Sequence, residues 1–234
     1  HHDVPIDTAF LIDRLRRARA YREATLGRPD ACREVFGESD GLPSLIVDRY
    51  GDTLVLQCLS AGLETMRPQL IEALEEVYAP EGILARNDPA VRSLEDLPRE
   101  VVVWAGEVPE AIDIKEGDTW LRVDPRHGQK TGLFLDQAEN HRAAAGYASG
   151  RVLDAFTYNG GFALACAARA EQVVAVDSSA AALAITGANA GLNATTNLLT
   201  VEANVFDLLK SMDQAKEQFD TIILDPPAFA KNRT

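Results

Sequence analysis

From residue 126 onward the chain alternates short apolar runs with helical segments, and few folds satisfy that rhythm. "RVLDAF", "QVVAVD", "LLTVEA" and "DTIILD" lack the polar alternation of a strand with one wet face. Such strands are buried on both faces. "QAENHRAAAGYA", "GGFALACAARA", "SAAALAITGANAGLN" and "VFDLLKSMDQA" read as helices around them. Strands and helices in alternation give a parallel sheet with helices on both faces. The predicted fold class is α/β, with a Rossmann-like sheet over 126–234. Crossovers in such sheets are right-handed, and ligands collect at the carboxyl ends of the strands.

Upstream the pattern changes. Residues 6 to 24 read as a helix with Ile6, Phe10, Leu11, Leu15 and Ala18 on one stripe. "SLIVDRY" and "TLVLQCL", joined by Gly51-Asp52, read as a β-hairpin. "ETMRPQLIEALEEVY" is a helix, and "GILARN", "VVVWAG" and "TWLRVD" are strands. The predicted division is therefore an arginine-rich helix or linker over 1–20, a smaller α+β domain over 21–125 and the Rossmann-like domain over 126–234.

No apolar run is long enough to span a bilayer. The opening "HHDVPIDTAF" has no apolar core of a secretory signal. His1 and His2 have the character of a tag and are set aside. Cys32, Cys58 and Cys166 show no C-x-x-C spacing and sit among apolar neighbours, which predicts buried, reduced thiols in a cytoplasmic protein. No metal site is expected. The net charge of −13 opposes non-specific binding to duplex nucleic acid. Yet "RLRRARAYR", residues 14–22, holds five arginines and no acid. Arg14, Arg16, Arg17 and Arg19, joined by Lys130, are either an RNA-binding set or part of an ordinary solvated surface.

Two acids stand at strand ends, Asp154 in "VLDAFTYNGG" and Asp177 in "VVAVDSS", 23 residues apart. That is close to the roughly 20 residues that separate the first βα turn of a nucleotide fold from its ribose-binding carboxylate. Asp177 is the expected ribose ligand, since a carboxylate can accept from both hydroxyls of a diol; it could also cap the helix beginning near Ser178. The turn Asp154, Ala155, Phe156, Thr157, Tyr158, Asn159, Gly160, Gly161 has Phe156 and Tyr158 where a dinucleotide site needs its first glycines. This disfavours a pyrophosphate and favours S-adenosyl-L-methionine, which carries adenosine without phosphate. Asp154, Gln137 and Asn140 are expected at its amino-acid end and Asn204 at the adenine. Ala155, Phe156, Tyr158, Gly160, Gly161, Ser178 and Asp225 complete the expected pocket.

Five blocks carry a resemblance: "GQKTGLFLDQAEN", "VLDAFTYNGGFAL", "VVAVDSSAAAL", "NVFDLL" and "DPPAF". Together they resemble the bacterial 23S ribosomal RNA methyltransferases that form 5-methylcytosine, and "ESDGLPSLIVDRYGDTLVLQ" resembles that family's central domain. The resemblance implies a PUA domain, a central α+β domain and a Rossmann-like methyltransferase domain, with this chain beginning after the first. It implies 23S ribosomal RNA as partner, with a second copy of the chain as a candidate one. Two positions depart from the family pattern: His141 stands between Asn140 and Arg142, where an Asn-Arg pair is typical, and Asn204 stands where an aspartate is common.

C5 of cytosine is a poor nucleophile. In the chemistry the resemblance implies, a thiolate adds to C6, C5 takes the methyl group, a base removes the C5 proton and the thiol leaves. Asp225 would steady the N3 edge of the ring, Pro226 and Pro227 would stiffen the loop, and Phe229 would stack on an extruded base. The family's cysteine nucleophile is expected beyond Thr234. "TIILD" is apolar enough to be an interior strand, so further strands are expected as well. The competing readings are a base-amino methyltransferase, whose D/N-PP-aromatic motif "DPPAF" matches imperfectly, and a non-catalytic cofactor- or RNA-binding scaffold.

Overall fold

A computed structural model describes residues 4–227. The chain divides into two compact units. The first runs to Glu116 and takes in Val123–Leu135; the second comprises Gly117–Arg122 and the chain from Asp136 onward.

The first unit contains α1 (Thr8–Leu26), β1 (Ala31–Phe36), β2 (Leu45–Tyr50), β3 (Thr53–Cys58), α2 (Ala61–Glu64), α3 (Arg67–Tyr78), β4 (Gly82–Asn87), β5 (Glu100–Gly106) and β6 (Ile112–Glu116). Its five-stranded sheet has the order β1-β2-β3-β4-β5. Only the β3–β4 pair is parallel. Asp7 begins α1 by accepting from the Phe10 N–H at 2.9 Å. Leu11, Leu15 and Ala18 then enter the same core as Leu70, Leu74 and Val77 of α3 and Val47, Leu54 and Ile83 of the sheet. The helix read from sequence as a separate linker is thus a structural layer of this unit. Ile6 precedes the helix and is exposed, so the apolar stripe begins at Phe10.

Segment 123–135 belongs with the first unit, although the sequence reading placed most of it in the Rossmann-like domain. Long-range hydrogen bonds explain the difference. Arg86 donates to the carbonyls of Pro125 and Gly128, both at 3.0 Å. The Tyr50 hydroxyl accepts from the Leu133 N–H at 3.0 Å, and Thr131 bonds Asp48.

The second unit contains β7 (Thr119–Val123, its last residue counted with the first unit), α4 (Ala138–Tyr147), β8 (Arg151–Ala155), α5 (Gly161–Ala167), β9 (Gln172–Asp177), α6 (Ala180–Leu192), β10 (Leu198–Glu202), α7 (Val205–Ala215) and β11 (Thr221–Leu224). The sheet order is β10-β9-β8-β11, parallel throughout. Residue parity assigns the faces. Val152, Val173 and Ala175 pack with Ala163, Cys166 and Ala167 of α5. Leu153, Ala155, Val174 and Val176 pack with Val205 and Leu208 of α7. Strand order reverses between β8 and β11, the kind of point where open α/β sheets bind ligands. Among the described residues β11 pairs only with β8, leaving Ile222 and Leu224 exposed, where the sequence predicted an interior strand.

Candidate cofactor site

The site grows from the carboxyl ends of β8, β9 and β11. The backbone after β8 turns through left-handed conformations at Phe156 (φ 68°), Tyr158 (φ 51°) and Gly160 (φ 86°). Aromatic residues hold the first two at a cost of order 1 kcal/mol each. The loop therefore keeps a glycine-like path while placing rings where a pyrophosphate would need room. The Phe156 ring meets Phe206 edge to face, with centroids 5.8 Å apart.

Both glycines that open α5 are required by their neighbours. A Cβ on Gly160 would lie 2.8 Å from Thr186 Cγ2, and one on Gly161 would lie 2.5 Å from His141 Cε1. His141 in turn packs edge to face on Phe162, with ring centroids 4.4 Å apart. The loop is held from behind by α6. Thr186 donates to the Tyr158 carbonyl at 3.0 Å, and Asn189 Nδ2 donates to the Asn159 carbonyl at 2.9 Å. Asn189 Oδ1 also accepts from the Arg122 N–H at 2.7 Å, while Asn193 both donates to and accepts from the Trp120 backbone. Two asparagines four residues apart on α6 thus fasten both the loop and β7.

Asp154 is fully buried at the end of β8. Thr157 Oγ1 donates to its Oδ2 at 2.6 Å, and the Ala163 N–H also donates to it. Burial pushes its carboxyl up to about 6; these hydrogen bonds and the nearby His141 oppose the rise, and Asp225 adds to it. A buried acid that resists ionisation is a natural counter-group for a cation.

Asp177 is half-buried at the end of β9. Its Oδ2 accepts from the Tyr158 N–H and its Oδ1 from the Ser179 N–H, both at 2.9 Å. Two backbone donors fix the carboxylate's orientation, and each oxygen retains acceptor capacity for a diol. Ser179, not Asp177, caps α6, its Oγ accepting from the Ala182 N–H at 3.2 Å. Ser178 is exposed between them.

Gln137 and Asn140 form a relay that ends on Asp225. Asn140 Nδ2 donates to Gln137 Oε1 at 2.6 Å, and Gln137 Nε2 donates to Asp225 Oδ2 at 3.3 Å. Their hydrogen bonds thus reach the acid after β11, where the sequence reading grouped them with Asp154. Asn204 is the N-cap of α7: its Oδ1 accepts from the Phe206 and Asp207 N–H groups at 3.0 and 3.3 Å. Its amide nitrogen is the group left to meet an adenine acceptor. Ala155 is buried at the end of β8, and Asp225 and Pro226 are exposed. Phe229 lies outside the described residues.

The remaining candidates lie in the first unit. Arg16 pairs with Glu76 at 2.8 Å, Arg17 with Asp13 at 3.0 Å and Arg19 with Glu23 at 3.1 Å. Arg14 lies over the Phe10 ring. The exposed face of α1 therefore carries mixed charge, because acids distant in sequence, such as Glu76, are brought to it. Lys130 Nζ sits 4.5 Å from the Phe134 ring centroid. Cys32, Cys58 and Cys166 are all buried, with thiols pushed up by burial to about 12, 12 and 11. None is disposed to act as a thiolate. Among the described residues no helix is long and apolar enough to cross a membrane.

A family model described as S-adenosylmethionine-dependent methyltransferase matches residues 69–234. The chain belongs to that family. Its cofactor, S-adenosyl-L-methionine, suits the donor set: a diol-ready acid at Asp177, a buried acid at Asp154 for the ammonium, and no phosphate cradle. "Ribosomal RNA large subunit methyltransferase I" of Yersinia pseudotuberculosis is 42% identical over 239 residues, which is 99% of this chain and 60% of that protein. The namesake from Yersinia pestis matches equally. The chain thus spans about 60% of the length of these curated relatives. A putative SAM-dependent methyltransferase from Streptococcus mutans shares the fold, with TM-score 0.83 and 24% identity over 96% of this chain and 60% of that one. A putative methyltransferase complexed with SAH does so with TM-score 0.84 and 24% identity over 98% and 60%.

The state of Asp154 has a measurable consequence for stability. Its folded-state value lies above that of the unfolded chain, so between pH 4 and about 6 the folded protein holds a proton the unfolded chain has released. Stability from this group is complete below that window and falls as pH rises through it, by on the order of 3 kcal/mol in all. Asp154→Asn is expected to flatten this part of the pH dependence of urea unfolding in the cofactor-free protein. An unchanged slope would show that Asp154 titrates normally.

Proposed function

We propose that this chain supplies the cofactor pocket and the base-steadying acid of an enzyme that methylates C5 of a cytosine in 23S ribosomal RNA. The observation that carries the reading is the meeting of Asp154, Asp177 and Asp225 around the β8–β11 switch point. S-adenosylmethionine, when bound, supplies an electrophilic methyl group. Asp177 holds the ribose and Asp154 the ammonium. Asp225, oriented by Gln137, faces solvent where a base edge can reach it and shares a proton with N3 as that edge gains charge. Pro226 and Pro227 offer no backbone donors that would compete for Asp225. The names of the Yersinia relatives support ribosomal RNA as substrate, and the five sequence blocks support C5 as the target.

The thiolate needed at C6 is not among this chain's cysteines. Methyl transfer is therefore tested with the chain in its natural polypeptide, on 23S RNA, with nucleosides of the digested product identified by mass spectrometry. The expected product is 5-methylcytidine. N4-methylcytidine or N6-methyladenosine would establish the base-amino reading instead, and SAM binding without transfer would favour a scaffold.

A further inference from the structure

A cavity of about 220 Å³ lies in the first unit, among the end of α1, β1, the β2–β3 turn and the end of α3. It is below the roughly 300–1,000 Å³ of sites that take whole cofactors. Its size suits one ring system.

The polarity of its lining is one-sided in an unexpected way. Four arginines line it, Arg19, Arg22, Arg28 and Arg49, yet most of their donors are spent. Arg22 forks onto Asp40 and donates to the Arg33 carbonyl at 3.0 Å. Arg49 donates to Glu34 Oε1 and the Pro29 carbonyl, both at 2.8 Å. Arg19 donates to Glu23 and the Val77 carbonyl. What is unmet is an acceptor. Glu34 is 3% exposed; its Oε1 is taken by Arg49 and the Cys32 thiol, while its Oε2 has no hydrogen-bond partner. The buried Tyr78 hydroxyl has none either. Burying an unmet carboxylate oxygen costs more than the roughly 1–3 kcal/mol of a neutral group. At the rim, Arg28 is 79% exposed and touches only Glu23, at 3.4 Å.

We infer that this cavity binds one unpaired nucleotide whose base carries an exocyclic amine, with the amine donating to Glu34 Oε2 and the phosphate meeting Arg28. Cytosine and adenine present an amine beside a ring nitrogen that accepts. A carboxylate oxygen and a phenolic O–H are the complementary pair, and burial beside Glu34 raises Tyr78 so that it keeps its proton. Uracil reverses the pattern, with a carbonyl beside an N–H. Unpaired RNA bases are read in this way, by their edges and by stacking on arginine planes. The inference draws on the proposed RNA substrate for the source of the nucleotide and is tested independently of it.

The chain, saturated with S-adenosylmethionine to occupy the cofactor pocket, is titrated with CMP, AMP and UMP to about 10 mM while amide NMR signals are followed. CMP and AMP are expected to shift signals of residues 32–34 and 78, with UMP at least about tenfold weaker. Tyr78→Phe and Arg28→Ala should each weaken CMP several-fold without changing S-adenosylmethionine affinity. Glu34→Gln should turn an amide N–H₂ toward the amine and abolish binding; circular dichroism checks that this variant folds. Equal binding of UMP, or no shift at these residues with any nucleotide, overturns the assignment and leaves a solvent-filled cavity. CMP binding at Glu34 together with failure of RNA methylation would sink the proposed substrate and leave the cavity assignment standing.

Discussion

Replacing Asp225 by alanine is expected to lower methyl transfer by about 10²- to 10⁴-fold, the span of a positioned acid–base group. Cofactor affinity should change little. Asp225 is exposed at the end of β11, with Gln137 Nε2 donating to it at 3.3 Å. Its carboxylate can therefore turn toward a substrate while one oxygen is held. Loss of that group removes the partner for charge developing on the base but leaves Asp154 and Asp177 in place. Single-turnover rates in the natural polypeptide, paired with calorimetry of S-adenosylmethionine, separate the two effects. Transfer at near wild-type rate would make Asp225 a structural strand end. Gln137→Ala should produce a smaller loss in the same direction, because it frees the carboxylate without removing it.

Asp177→Ala is expected to weaken S-adenosylmethionine ten- to a hundred-fold, the loss of about 1.5–3 kcal/mol that accompanies a charge-assisted hydrogen bond. The side chain also accepts from the Tyr158 and Ser179 N–H groups, so alanine loosens the loop as well. A ribose-specific contact can be told from loop damage by comparing S-adenosylhomocysteine with its 2′-deoxy analogue. The intact protein should prefer the diol, and the variant should lose that preference. If both proteins discriminate equally, the diol is held elsewhere and Asp177 serves the loop alone.

How much of this was legible in the sequence depended on how local the cause was. β8, β9, β10 and β11 were readable because apolar residues fill consecutive positions. β1 was missed because its "ACREVF" interleaves charge: Arg33 pairs with Asp48 and Glu34 with Arg49 across the sheet, and neither pairing is visible in a linear string. β6, "IDIKE", was missed for the same alternation. The helix over 8–26 was recognised, but its place in the core was not, since only Leu11, Leu15 and Ala18 announce it among many arginines.

At the site, Asp154, Asp177 and the Gly160–Gly161 turn were readable because strand ends and turns are local. Asp225's partnership with Gln137 spans 88 residues and was not. Thr157, His141, Thr186 and Asn189 were missed as supports of the pocket. Thr157 had a local signal, a hydroxyl three residues after a strand-end acid. The other three act across space, on a glycine Cα face or on loop carbonyls, and nothing in their own neighbourhoods marks them.

The most direct measurement is a crystal structure of the chain with S-adenosylhomocysteine. The expected density has the ribose hydroxyls on Asp177 and the ammonium on Asp154, with sulfur toward Asp225. Ligand bound with its ribose away from Asp177, or a crevice at the β8–β11 crossover that stays empty at saturating concentration, would contradict it.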